Sequence, residues 1–193
     1  MEQLTRLKTI PLSDGDIIRK LRGKTNLMMY HDLADVSDID EILVNDSVVI
    51  LYEQKPKNGH WVCIVRYMTN DRRTIEFFDS YGLFPEDEKK HIGNRFLAIS
   101  GQKFNKIADL LLRASDRYRI EFNDSKLQKW SPKINTCGRH VISRIILKTL
   151  TNKEYNRFMR SFHISPDDVA TIICEVILVI YISNGEQRRV HSS

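Results

Sequence analysis

Three residues in this chain are of types that together could cut a peptide bond. Cys137 sits in N-T-C-G-R-H (135–140), directly ahead of an apolar run, V-I-S-R-I-I-L. His60 lies in G-H-W (59–61), and Asp79 in F-F-D-S-Y-G (77–82). A thiolate attacks carbonyls, and an imidazole beside it can take and return the proton. A carboxylate next to that imidazole fixes its tautomer and stabilises its cation. Each residue also has a plainer explanation. Most free cysteines are small buried hydrophobes, and a His–Asp couple on neighbouring strands is often only a cross-strand pair. The deciding question is whether the chain brings the three together.

The segments around His60 and Asp79 predict strands. VVILYE (48–53), WVCIVRYM (61–68) and TIEFFDSY (74–81) are apolar and rich in β-branched and aromatic residues. KPKNG (55–59) and TNDRR (69–73) have turn composition. A turn centred between Thr69 and Asn70 sets His60 directly opposite Asp79. A turn centred between Asn70 and Asp71 sets His60 opposite Tyr81 and makes Asp79 a diagonal neighbour on the same face. An odd loop would send the two to opposite faces unless a bulge restored the phase.

Cys137 is expected at the start of a helix, with Val141, Ile142, Ile145, Ile146 and Leu150 as its apolar face and Thr136 or Asn135 as its cap. A helix N-terminus favours a thiolate through its unpaired N–H groups and its dipole. Gly138 removes bulk beside the sulfur and leaves the backbone open to a substrate. The Cys137 N–H could serve a developing oxyanion, and the Gln128 side chain, upstream in an irregular stretch, is a second candidate donor. Trp61 and Trp130 are candidate walls of a narrow cleft, each with core or surface packing as an equal alternative. Cys63 in WVCIV and Cys174 in IICEV suit buried positions far better than chemistry.

The remaining elements must hold this arrangement. Ser13 and Asp16 start one helix, and Ser37 and Asp38 precede a short helical piece. Pro85 with Glu86, Asp87 and Glu88 opens another. FNKIADLLLRAS (104–115) is an amphipathic helix, RYRIEFN (117–123) alternates like a strand, and 124–134 is irregular. Thr151 with Glu154, then Ser165, Pro166 and Asp168, start two more helices. Helices, then strands, then helices predict an α+β fold with a central mixed or antiparallel sheet flanked by helices. One domain is expected over 1–193, with 184–193 as a flexible tail.

Composition narrows the class. The chain has 193 residues, 41% hydrophobic and 28% charged, with a net charge of +5. Those are globular values, and mildly basic. Three widely spaced cysteines without C-x-x-C argue against a disulfide framework or a cysteine-rich zinc site, and no metal is expected. Free thiols fit a reducing compartment. The N-terminus lacks a secretory signal pattern. VATIICEVILVIYI (169–182) is too short to span a bilayer and is interrupted by Glu175, so it predicts a buried helix and no membrane association.

Taken together and in order, GHW (59–61), FFDSYG (77–82), Gln128 and NTCGRH (135–140) resemble the adenovirus-type maturation proteases (adenain) and the related SUMO and ubiquitin-like-modifier proteases. The chain order His, Asp, Cys is that clan's order, whereas papain-like enzymes with the same chemistry run Cys, His, Asn. Y-x-D-L (30–33) and VVILYE (48–53) add to the likeness, which spans about residues 12 to 150. Within the group, the Cys motif is similar to those in proteases of large DNA viruses, virophages and Polinton-type elements. The resemblance implies a papain-like cysteine protease fold with the nucleophile at the N-terminus of a buried helix. It also implies Cys137 as nucleophile, His60 as general base, Asp79 as its orienter, and Gln128 with the Cys137 N–H in the oxyanion hole. Two departures stand out. Adenain has Glu where this chain has Asp79, and Gln128 lies nine residues before Cys137, slightly farther than in either reference group.

The activity so implied is cleavage of capsid precursors, often after glycine, in a virion or in host cytoplasm or virus factory. The chemistry needs no cofactor, and the enzyme is expected to be a monomer. Adenain works along DNA and uses a disulfide-tethered peptide. No cysteine here matches that tether, so activation by non-specific DNA or a peptide is left open. Basic residues that could meet phosphate are scattered: Arg19, Lys20, Arg22, Lys24, Arg72, Arg73, Arg188 and Arg189. Two other functions compete: removal of a ubiquitin-like modifier by the same chemistry, and a catalytically silent capsid-associated protein.

Overall fold

The computed structural model describes residues 2–176. Five strands form one mixed sheet: β1 (Asn26–Met29), β2 (Ser47–Lys55), β3 (Asn58–Thr69), β4 (Arg72–Phe78) and β5 (Arg119–Phe122), in that order across the sheet. The three central strands are antiparallel hairpin neighbours, and the short edge strands β1 and β5 run parallel to β2 and β4. The α+β architecture expected from element order is the one observed. The helices are α1 (Glu2–Thr9), α2 (Asp14–Lys20), α3 (Asn94–Ile99), α4 (Lys106–Ala114), α5 (Cys137–Ile146) and α6 (Asn152–Arg160), with further helical residues over 166–176.

Alternation along the strands makes two cores. Val48, Ile50, Val62, Ile64, Ile75 and Phe77 face one side with Ile107, Leu110 and Leu111 of α4. Val49, Leu51, Trp61, Cys63, Val65 and Phe78 face the other with Val141, Ile142 and Ile145 of α5. A sheet buried on both faces explains why its strands are almost uniformly apolar.

The β3–β4 turn has Asn70 and Asp71 both at positive φ, with Thr69 paired to Arg72. Two consecutive left-handed residues suit the strand twist, and Asn and Asp tolerate that conformation best after Gly. This selects the second of the two expected registers. The ladder ends at Cys63 and Phe78, so β4 is shorter than TIEFFDSY suggested, and Asp79 is the first residue beyond it.

Other expectations shift. Helix α1 was not among the expected elements, and none of its residues is buried. The helix expected at Pro85 is instead a 3-10 turn over Asp87–His91, preceded by Glu86 at φ +74°. The cause is Glu86 itself. Its carboxylate accepts from the N–H groups of Ile107 (3.0 Å) and Ala108 (3.2 Å) at the start of α4, and from the Tyr30 hydroxyl (2.6 Å). Helix α5 ends at Ile146, so Leu150 packs on the core from outside it. Lys20, offered above as a phosphate contact, is buried and bonded to Glu175 and the Cys174 carbonyl. Arg188, Arg189, the expected tail and the second half of the 169–182 segment lie outside the described residues. Among the described residues, no helix is long and apolar enough to cross a membrane.

Candidate active site

His60 is presented by the part of β3 that outruns β4. Gly59, just before it, is dictated by close approach: a β-carbon there would lie 1.8 Å from the Tyr52 carbonyl oxygen of β2. Gly59→Ala therefore has to push β3 off β2 beside the imidazole. We expect a loss of about 1–3 kcal/mol in urea unfolding. A variant as stable as the wild type would show that this backbone approach is looser than described.

The diagonal neighbours meet. His60 Nε2 lies 3.1 Å from Asp79 Oδ2, with the two side chains 4% and 1% exposed. Asp79 is itself held: its Oδ1 accepts from the Tyr81 N–H at 2.6 Å, and its backbone carbonyl from Asn123 Nδ2 at 2.6 Å. The Cys137 sulfur, at the first residue of α5, is close enough to the imidazole to act on its charge. Burial alone would drive a proton off His60. The Asp79 carboxylate and the Cys137 sulfur outweigh it and raise the imidazole well above its ordinary proton affinity.

Cys137 is half-buried, whereas Cys63 and Cys174 are fully buried. Burial pushes the Cys63 thiol far up and the Cys174 thiol to about 11, so both stay protonated at neutral pH. Thr136 occupies the N-cap position but does not cap: its hydroxyl donates to Asp167, and among the described residues no side chain bonds the first N–H groups of α5. That leaves the first turn uncapped at the sulfur.

Gly138 does not line the cleft. It is buried, and a β-carbon there would meet Leu12 at 3.2 Å and Ile17 and Trp61 at 3.4 Å, so its role is to let those side chains pack onto the helix start. Trp61 does wall a cavity of about 290 Å³ that includes Cys137, with Leu12, Met29 and Leu51, and Asp14 and Lys57 also in its lining. Its indole N–H donates to the Leu12 carbonyl at 3.1 Å. Trp130 is absent from that lining. It is 53% exposed and packs on Tyr81 and His91, with ring centres 4.5 and 5.0 Å apart.

Gln128 is 2% exposed. Its Oε1 accepts from the Ser80 hydroxyl at 2.7 Å, and its Nε2 donates to the Tyr81 hydroxyl at 3.0 Å and to the Ile134 carbonyl at 3.4 Å. Tyr81 was missed as a site residue, although the second hairpin register named it as the residue facing His60. Its ring stacks on the imidazole at 4.9 Å and 21°. Burial and then the nearby Cys137 sulfur hold its hydroxyl protonated.

Arg139 and His140 anchor the start of α5, which carries the thiol. Arg139 donates to the Ile10 carbonyl at 2.7 Å, and His140 Nε2 lies 3.1 Å from Asp167 Oδ1. Asp167 also accepts from the Lys129 N–H at 3.0 Å. Burial opposes its charge, but His140, Thr136 and Lys129 hold the carboxyl below the usual range. A carboxyl depressed in the folded state stabilises above its unfolded pKa, and that contribution is lost as pH falls through the folded value. Asp167→Asn should therefore be less stable than wild type at pH 7, with the gap narrowing progressively below about pH 4. Urea unfolding across that window checks it. A gap independent of pH would assign the loss to packing instead.

One further grouping was not foreseen. Glu88, buried in the 3-10 turn, brings a carboxylate oxygen to within 4.8 Å of a His60 nitrogen and an Asp79 oxygen. Burial pushes its carboxyl up, His60 pulls it down, and Asp79 pushes it up again.

No protein-family model matches the chain. Uncharacterized protein V9 of Sputnik virophage is 32% identical over 178 residues, covering 90% of this chain and 99% of that protein. The chain belongs to the V9 family. Among solved structures, the ASFV pS273R protease is similar at a TM-score of 0.51 and 16% identity, covering 88% of this chain and 68% of that one. Its selenomethionine form gives 0.50 over the same shares. At that identity the likeness establishes the fold alone: the chain has the architecture of the ASFV pS273R protease. The site's chemistry stands on the geometry above.

Proposed function

We propose that this V9-family chain is a cysteine endopeptidase that matures viral particles by cutting capsid precursors through Cys137, His60 and Asp79. The convergence of a half-exposed thiol, a buried imidazole and a buried carboxylate carries the proposal. The virophage relative and the fold shared with a viral protease support it.

The reaction is acyl transfer. Cys137 sulfur, its proton passed to His60, attacks the peptide carbonyl and forms a tetrahedral oxyanion. The Cys137 N–H and Gln128 Nε2 are the donors for that charge. Gln128 can supply a proton by releasing its long bond to Ile134, while the bonds to Tyr81 and Ser80 keep the amide oriented. The C–N bond then breaks, His60 protonates the leaving amine, and a thioester remains on Cys137. Water deprotonated by His60 hydrolyses the thioester, returning the thiol and releasing the new carboxyl terminus. Asp79 stabilises the imidazolium throughout. Trp61 and Leu12 narrow the cleft beside the sulfur, which favours glycine or another small residue before the cut bond.

The test is to incubate the full chain with the capsid proteins encoded beside it and to find new termini by mass spectrometry. New termini after small residues are expected. Intact capsid proteins, with a ubiquitin-like modifier processed instead, would overturn the substrate assignment and keep the chemistry.

A further inference from the structure

Glu88 is left over once the three catalytic roles are assigned. It is 2% exposed, its Oε1 accepts from Gln54 Nε2 at 2.8 Å, and its Oε2 has no hydrogen-bond partner among the described residues. A buried carboxylate oxygen without a donor is costly and calls for a cation or a proton. It stands beside a second buried carboxylate and an imidazole, the three ligand atoms lying within 4.8 Å of one another.

We propose that His60, Asp79 and Glu88 form a binding site for a divalent transition-metal ion of the zinc class, and that ion binding and peptide cleavage exclude each other.

The donor set fits that class. One imidazole and two carboxylates are zinc-type ligands, and the imidazole disfavours magnesium and calcium. Ligands about 2.0–2.1 Å from a tetrahedral ion stand about 3.3 Å apart. His60 Nε2 and Asp79 Oδ2, at 3.1 Å, already span such an edge. Glu88 needs only a side-chain movement to close the third position.

The site is also braced from behind. Each carboxylate has its second oxygen tied to a protein N–H, Asp79 to the Tyr81 amide and Glu88 to Gln54. Such outer contacts orient ligands and raise affinity. The turn carrying Glu88 is fixed by Lys89, which bonds the Phe104 carbonyl at 2.6 Å and Glu86 at 2.6 Å. A divalent ion would balance the charges of the two buried carboxylates.

Exclusion follows from proton counting. An ion on the nitrogen that Asp79 now orients takes that lone pair. The ring can then carry one proton on its other nitrogen but cannot accept a second from the thiol. This consequence rests on the protease reading, whereas ion binding does not.

The two are measured apart. The full chain carrying Cys137→Ala, which removes the thiol as a competing ligand, is titrated with Zn2+ by calorimetry. One saturable site per chain is expected, weakened at least about tenfold when Glu88→Gln is added. Gln54→Leu, which frees the outer oxygen and alters no ligand, should weaken it about tenfold as well and covers the case that Glu88→Gln does not fold. No saturable binding, or equal affinity in the folded variants, overturns the site. For the unsubstituted chain, Zn2+ at saturation should stop cleavage. Undiminished cleavage by the zinc-loaded chain overturns the exclusion while the binding result stands.

Discussion

Replacing Cys137 with alanine is expected to abolish the proposed peptide cleavage and to leave thermal stability within about 1 kcal/mol of the wild type. The expected loss in kcat/KM is at least about 10⁴-fold, because among the described residues no other thiol is placed to take over the covalent step. Cys63, on β3, is sealed between the sheet and α5, and Cys174 is buried in the helical residues packed on the same core, both with thiols held protonated. Cys137 lines the cavity and lies close enough to the imidazole to act on its charge. Cys174→Ala should therefore keep its activity, and brief alkylation at neutral pH should modify Cys137 first, with loss of activity in step. Cleavage by Cys137→Ala within about tenfold of wild type, once contaminating protease is excluded, would end the thioester mechanism. His60→Ala is expected to match Cys137→Ala, since the two act as one unit.

Breaking the Arg144–Glu76 pair should cost more stability than any other single change of a polar side chain. Both side chains are fully buried. Arg144 makes a two-point contact, Nε to Oε1 at 3.0 Å and Nη2 to Oε2 at 2.8 Å. It also donates to the carbonyls of Leu147 and Leu150 at 3.0 Å, beyond the end of α5, and its guanidinium lies over Tyr155 and Tyr67 at 5.0 and 5.2 Å. The Tyr67 hydroxyl lies 2.8 Å from Glu76 and 2.9 Å from Glu121, and its single proton serves one of them at a time. Arg144→Met would leave Glu76 buried with that one donor, at a cost of about 3–5 kcal/mol. Against a typical total of about 5–15 kcal/mol, that is a large fraction. Removing both charges, as in Glu76→Leu with Arg144→Met, should recover much of the loss, because two well-packed apolar groups avoid the unpaired ion. Urea unfolding of the three proteins decides. A single variant no less stable than the double would show that Glu76 finds another partner. The pair ties α5 to β4 at the end opposite the nucleophile, so Arg144→Met should also lose activity at a lower temperature.

Much of this was legible in the chain. The β-branched runs at 48–53 and 61–68 could only be buried strands. Ser13 with Asp16, and Thr151 with Glu154, made the capping boxes their spacing promised, because a cap is settled by residues three apart. The hairpin was legible up to one ambiguity. Both even registers put His60 and Asp79 on one face, so the pairing survived uncertainty about the turn.

What was not legible depended on partners far along the chain. Asn70 and Asp71 settled the register only once both took left-handed backbone. The Pro85 segment has the composition of a helix start. Yet Glu86 is captured by the N-terminus of α4, about twenty residues on, and that long-range bond overrides the local preference. Nothing local marks Arg144 and Glu76 as partners. The same limit hid Glu88.

By itself, then, the sequence determined the three central strands and β5, the capping boxes at Ser13 and Thr151, the candidate nucleophile and the shared face of its base and carboxylate. Those follow from short-range backbone geometry and two-residue alternation. Only the tertiary structure decided that Cys137, carried on the opposite layer, reaches His60 where β3 outruns β4. It also placed Gly138 under Leu12 and Trp61, stacked Tyr81 on the imidazole and set a second carboxylate beside it. Each of these contacts joins segments distant in sequence, and burial between them is fixed by packing rather than by any neighbour along the chain.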